Sequence, residues 1–367
     1  MKKAILFFVF VFVVFKMLAV ENVYDFLIGT YTKGTSSKGI YTVRCDMNNA
    51  KFDLNLAATD LSNPSFLALS EDKNFVYAVS ESGDQSKVYA FTFDAISGKL
   101  NLINKVAAGD LGPCHISMTE KHIVTANYSG GSICVFNREM DGSLSEVAQK
   151  NVYTGRSIDS TRQTQPHLHQ TVFSNDEKVL LVNDLGTDLV RTYLYDKDAK
   201  VAILTALDSI KVKLGSGPRH TTMSEDGRFA FVLSEMDGTI TTMAYNAGKL
   251  TKLHETSIVR KSDIKTGAAD IHISPDAKFL YATNRGTAND ITCFSIGGDG
   301  ALTFVEQTFV LGVGPRNFAI TKDGKYIFIG NQGCSIISIF KRDLNSGKIE
   351  DTGKGIDVGA PVCILEY

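Results

Sequence analysis

Seven short stretches of this 367-residue chain answer one another at a spacing of roughly 50 residues. They are Asn63-Pro64-Ser65-Phe66, Gly112-Pro113-Cys114-His115, Gln165-Pro166-His167-Leu168, Gly217-Pro218-Arg219-His220, Ala268-Ala269-Asp270-Ile271, Gly314-Pro315-Arg316-Asn317 and Ala360-Pro361-Val362-Cys363. A unit of that length cannot bury its own apolar face. It must stack on its neighbours, so the repeat restricts the architecture more than any composition figure does.

Most units continue in the same way. A polar turn follows, such as Ser70-Glu71-Asp72-Lys73, Ser224-Glu225-Asp226-Gly227 or Thr321-Lys322-Asp323-Gly324, built from residues that bond their own backbone. A second apolar strand comes next, as in Phe75 to Val79 or Phe279 to Thr283, then a third, as in Lys87 to Phe93 or Ile336 to Phe340. Turns such as Ser97-Gly98-Lys99-Leu100 and Asp141-Gly142-Ser143-Leu144 lead to a fourth. Four antiparallel strands per unit, with no helical period after the N-terminal segment, predict an all-β propeller. The ends set the blade number. Phe26 to Tyr31 matches a second strand and Ala360 to Tyr367 matches a first. One blade is therefore expected to combine three N-terminal strands with the C-terminal one, which pairs edges otherwise left open. With six internal blades the total is seven, in a single domain over residues 21–367.

Residues 1–20 stand apart. Lys2 and Lys3 precede an unbroken apolar run of 12 residues, Ala4 to Phe15, and Leu18-Ala19-Val20 offers small residues for cleavage. The run is short for a membrane span and fits a cleaved export signal. That places the mature chain in the periplasm or outside the cell, without stable membrane insertion. Losing Lys2, Lys3 and Lys16 takes the formal charge from −2 to −5. A mildly acidic chain gives no footprint for nucleic acid. Six cysteines show no CxxC and no zinc spacing, so buried thiols are expected, with pairing left open in an oxidising compartment.

Chemistry concentrates where the repeat is broken by charge. In Gln165 to Gly186, strand alternation puts His167, His169 and Thr171 on one face, and the returning strand ends at Asn183-Asp184. Counting five residues back from each turn Ser/Thr gives an inner ring of Ser65, Cys114, His169, Arg219, Ala269, Arg316 and Val362. Positions just after the second strand give an outer ring of Tyr31, Glu81, Tyr128, Asp184, Glu235, Arg285 and Gln332. A structural repeat needs none of these charges. A mixed cationic and carboxylate cluster at one mouth is where shifted pKa values and anionic ligands are expected. His115, His220 and His272 fall off the His169 register and read as packing residues turned away from it. An H-x-H pair such as His167 and His169 can bind zinc, but the neighbouring arginines would repel a cation, so neither metal nor cofactor is expected.

At these residues the chain resembles the lactonase family of seven-bladed propellers, the group of propeller-type 6-phosphogluconolactonase and 3-carboxy-cis,cis-muconate lactonizing enzyme. The matching stretches include Ile28-Gly29-Thr30-Tyr31-Thr32, Arg162-Gln163, Pro166-His167-Leu168-His169, Asn183-Asp184-Leu185-Gly186, Gly217-Pro218-Arg219-His220, Ser234-Glu235, Asn284-Arg285-Gly286 and Pro315-Arg316-Asn317-Phe318. The resemblance implies ester hydrolysis of a small anionic or sugar lactone. It places a His, two Arg and a Glu of the family's site on His169, Arg219, Arg285 and Glu235. Glu235 or His169 would be the general base, with the two arginines holding the anionic group and the developing charge. Asp184, Arg316, His167 and Arg162 complete the expected substrate-binding set. No GxSxG elbow occurs, which disfavours an acyl-enzyme. Two other readings stay open: a non-catalytic secreted propeller that binds carbohydrate or protein, and a lactone-forming cyclase. Export also argues for a lactone other than the cytoplasmic phosphorylated one. Oligomeric state is not encoded in any feature read here.

Overall fold

The computed structural model describes residues 22–367, so the expected export segment lies outside the described residues. Within them the chain forms seven four-stranded antiparallel sheets. Blades 1 to 6 are residues 67–107, 113–152, 168–211, 218–257, 268–309 and 315–357. Blade 7 joins Val23–Thr30, Gly39–Asp46 and Lys51–Thr59 to the C-terminal strand Pro361–Glu366. Phe26 pairs with Glu366 and Ile28 with Ile364, so tail and head close the ring as expected.

Burial grades outward within a blade. Second strands such as Val179–Asp184 and Phe279–Asn284 are buried along their whole length, because a neighbouring sheet covers each face. Outer strands such as Leu144–Val152 alternate buried or half-buried with exposed residues, the pattern of a one-sided strand. The core therefore lies between blades. At the closure seam Phe26, Ile28 and Ile364 of blade 7 pack against Phe328, Ile337 and Ile339 of blade 6. Each such side chain contributes roughly 1.5–3 kcal/mol on full burial, which makes the seam a load shared by both chain ends.

Inner strands carry the feature that matters for function. Their ladders slip between Pro113 and His115, Leu168 and Gln170, Pro218 and His220, and Pro315 and Asn317. Each slip is a β-bulge that leaves one residue without a partner and re-aims its side chain. The bulged residues are Cys114, His169, Arg219 and Arg316. In three of these blades a glycine with positive φ (Gly112, Gly217, Gly314) precedes the proline, a conformation that favours glycine. The bulges all sit at one end of the central channel, here the upper mouth; the Ser/Thr turns surround the lower mouth.

Candidate functional site

Glu235 follows directly on the strand Phe229–Ser234, and its amide donates to Gly217 O at 2.8 Å. The fixed backbone aims the carboxylate across the upper mouth. Oε2 accepts Arg219 Nε and Arg285 Nη2, both at 3.0 Å, and Oε1 accepts Arg162 Nη2 at 2.6 Å. Burial alone would raise the Glu235 carboxyl, but Arg285, Arg219 and Arg162 override it and hold it at about 2. It is an anion throughout the neutral range.

The arginines are held from behind as well. Arg219, 1% exposed, donates to Ala269 O on the next blade. Burial, then Arg285 and Arg316, weaken its grip on its proton, yet a guanidinium remains charged at neutral pH. Arg285 Nε donates to Gly267 O at 2.9 Å. Arg162 hangs from the loop before blade 3, where Asp159 accepts its amide at 2.9 Å, and it also meets the Tyr128 hydroxyl at 3.3 Å. Gln163, fully buried, ties that loop down by donating to Leu185 O and Asp188 Oδ1, both at 2.8 Å.

Arg316 differs from the other three. Its guanidinium lies over the Tyr31 ring, 5.4 Å from the centroid, and among the described residues it makes no hydrogen bond or ion pair. Tyr31 in turn donates to Glu81 Oε1 at 3.0 Å, and the Ser65 hydroxyl donates to the same oxygen. A preset cation with open valences is suited to an incoming anion.

His169 stands beside this group, 5% exposed, with its Nδ1 buried and lacking a hydrogen-bond partner. Burial first, then Arg219, His220, Arg316 and Arg285, push the imidazole well below its ordinary value. It is neutral at pH 7 and able to accept a proton. Its ring meets Tyr128 edge-on at 5.6 Å. His167 stacks on Tyr128 at 4.3 Å and bonds Tyr128 O at 2.8 Å, so it forms the wall behind that ring. The two histidines contact Tyr128 in different ways and do not make a metal pair; among the described residues no group of three or more His, Cys, Asp or Glu is placed to hold an ion.

Two expectations need correction. Asp184 is not part of the outer ring. It is the last residue of its strand, fully buried, and its oxygens accept from His167 N, Thr187 Oγ1 and Arg191. The amide that bonds back to the inner strand, as Glu235 N does, is that of Leu185. Asp184 therefore anchors the loop and Leu185 holds the ring position. His220 and His115 also do not turn away. The His220 ring centroid lies 5.2 Å from that of His169 and 5.7 Å from that of His115, which in turn lies 4.1 Å from that of Phe66. The bulge breaks the alternation, so consecutive residues Arg219 and His220 both face the channel. A glycine-proline step ahead of a charged residue was the available signal.

A family model described as "Lactonase, 7-bladed beta-propeller" matches residues 25–366. A 6-phosphogluconolactonase of Formosa agariphila is 34% identical over 88% of this chain and 94% of its own length. The solved structure of a Pseudomonas aeruginosa periplasmic gluconolactonase is 32% identical, with a TM-score of 0.89, covering 94% of this chain and 99% of that one. A solved Bacteroides fragilis structure is 39% identical, with a TM-score of 0.90, covering 94% and 98%. The chain belongs to the lactonase family of seven-bladed β-propellers.

Proposed function

We propose that the upper mouth hydrolyses a sugar lactone carrying or developing negative charge. The observation that carries this reading is the division of labour among four guanidinium groups: three are locked on Glu235 while Arg316 is free, and a neutral imidazole adjoins them. Relatives named 6-phosphogluconolactonase and gluconolactonase support the same chemistry.

Water attacks the lactone carbonyl, and its oxygen becomes bonded to that carbon. The tetrahedral intermediate then collapses, the ring C–O bond breaks and the ring oxygen leaves as a hydroxyl by taking a proton. His169 accepts the proton the water gives up. Arg219 and Arg285 face the oxyanion, with no reorganisation needed because Glu235 has already fixed them. Arg316 holds the substrate's anionic or most electron-rich group. Glu235, held at about 2, is too weak a base for the neutral range and acts by placing arginines. His169 is the base in this reading because its ring is uncharged and its Nδ1 unpartnered, whereas the Glu235 oxygens are already occupied by three guanidinium groups. Arg162 closes the carboxylate's third side from the loop before blade 3, its side chain 45% accessible.

The apolar N-terminus and the periplasmic relative favour an exported enzyme and an unphosphorylated aldonolactone or a uronic-type lactone. Proton release above the spontaneous rate, followed over glucono-δ-lactone, 6-phosphogluconolactone and glucuronolactone, tests the reading. Acceleration of at least one, lost in His169→Asn, is expected. No acceleration of any of them would overturn it.

A further inference from the structure

Below the upper mouth inner-strand residues of several blades bring their rings together across the channel: Phe66 and His115 lie tilted with centroids 4.1 Å apart, and His220 meets both edge-on. Asp270 is buried in this plug. His220 Nδ1 lies 2.7 Å from its Oδ1 and His272 Nε2 2.9 Å from its Oδ2, hydrogen bonds whose direction follows the tautomer of each ring, so one imidazole can give a proton while the other takes one. Asn317 Nδ2 and the Phe318 amide complete its shell at 2.5 and 3.3 Å. His272 lies lower, against Phe318, with 42% of its side chain accessible in the channel.

We infer that His220, Asp270 and His272 form a relay that takes the reaction proton from His169 at the upper mouth to the lower channel. The inference rests on the lactonase reading. Opening one lactone forms a bond from the water oxygen to the carbonyl carbon and breaks the ring C–O bond. The proton His169 takes from the attacking water is returned to the ring oxygen as the ring C–O bond breaks. The second water proton is on the new carboxylic acid; His169 takes it as that acid ionises, so each turnover releases one proton.

That proton is poorly held where it is made. Protonated His169 would face Arg219, Arg285 and Arg316, with His220 beneath it. His220 faces Arg219 and His115 but also has the Asp270 carboxylate on its Nδ1. His272 faces Asp270 without an arginine beside it. Proton affinity rises down the channel accordingly. Burial and the arginines push His169 well below the ordinary range. Burial and Arg219 lower His220 to about 4 against the pull of Asp270. His272 is raised, because Asp270 outweighs burial. Asp270 itself stays ionised, since two imidazoles and buried donors outweigh its own desolvation. The buried Nδ1 of His169 has no hydrogen-bond partner, and the His220 ring meets the His169 ring edge-on with centroids 5.2 Å apart, so the first transfer needs only a small turn of either ring. These three are positioning and transfer residues; none touches the lactone.

The test compares wild type with His220→Gln, His272→Gln and Asp270→Asn, measuring kcat, KM and melting temperature at pH 6 to 8 in weak and strong imidazole buffer. kcat should fall about 100-fold in His220→Gln and Asp270→Asn and less in the half-accessible His272→Gln. KM should stay within about twofold, since the arginines are untouched. Imidazole should restore turnover at least about tenfold in the variants and leave wild type unchanged, because a diffusible base can collect the proton from His169 directly. If Asp270→Asn does not fold, His272→Gln and His220→Gln decide. Folded variants with wild-type kcat, or a loss that imidazole does not relieve, overturn the relay. A wild type inert on every lactone sinks the lactonase reading and the relay with it; an active wild type with unimpaired variants sinks the relay alone.

Discussion

At the upper mouth Arg162, Arg219 and Arg285 converge on Glu235, with Arg316 over Tyr31 and Glu81 held by Tyr31 and Ser65. At the lower mouth Glu71, Glu120 and Glu177 line one opening together with Asp72 and Arg138. Both ends are rich in charge, but only the lower one is periodic. Ser70, Ser174, Ser224, Ser274 and Thr321 donate to Asp72, Asp176, Asp226, Asp276 and Asp323 at 2.6–2.7 Å, the same contact in five blades. Those aspartates are consumed by their own turns and, for Asp276 and Asp323, by Arg342 and Tyr24 of other strands. No two adjacent blades present the same bulged residue above. In a repeat protein, charge that recurs at one register serves the fold, and charge that appears once is available for chemistry.

The largest contrast is expected from Glu235→Gln. Removing that carboxylate leaves Arg219 buried with an uncompensated charge, a loss of the order of 3–5 kcal/mol, and unfastens Arg285 and Arg162. kcat/KM should fall by about 10²–10³, read against urea unfolding of the same variant. The pH dependence has a definite sign. The folded pKa of Glu235, about 2, lies below its ordinary 4.5. Its contribution is therefore present above pH 4.5 and lost as pH falls from 4.5 towards 2. The stability gap between wild type and Glu235→Gln should close over that window. A gap unchanged between pH 7 and pH 3 would break the comparison, because the arginines would then not be what holds Glu235 ionised.

The same contrast explains what was legible in the residues. Blade number and closure could be read because turn and strand signals recur, and even the split blade shows its two halves at the two ends. The ring containing His169, Arg219 and Arg316 was found by counting back from the turns, which are rigid markers. The returning positions were less secure. In blade 3 Pro166 lies two residues before the strand Leu168–Phe173, whereas Pro113, Pro218, Pro315 and Pro361 each begin theirs. Asp184, a charge at an apparent strand end, was therefore taken for Leu185's place. The bulges were invisible to strict alternation, and that hid His220 and Asp270.

Arg316 sharpens the comparison within the upper mouth. It has no ion-pair partner among the described residues, so Arg316→Gln should leave the melting temperature within about 2 °C. KM for an anionic lactone should rise about 10–100-fold, the value of one charged hydrogen bond, with a smaller change for a neutral lactone. A stability loss equal to that of Glu235→Gln would show that Arg316 is structural after all.

At the lower mouth Asp72→Ala removes acceptors for Ser70 Oγ, Asn74 N and Asn74 Nδ2. A loss of about 1 kcal/mol is expected, with kcat and KM unchanged. Altered kinetics here would mean that the turns, too, reach the chemistry.

The smallest effect belongs to Glu177. Its backbone is left-handed, with φ 54°, and its carboxyl is raised by burial and by Glu71 and Glu120. A raised folded pKa contributes stability below the ordinary pKa and loses it as pH rises through the folded value. At pH 7 the ionised group is therefore mildly unfavourable, and Glu177→Gln should stabilise the fold by a few tenths of a kcal/mol, kept small by solvent. The gain should vanish near pH 4, where wild type is itself protonated, while turnover stays constant. Opposite responses to acid are thus expected from two glutamates of one channel: Glu235→Gln loses its penalty and Glu177→Gln loses its advantage. Parallel responses would mean that the two mouths share one electrostatic environment, and the separation of folding charge from reacting charge would fail.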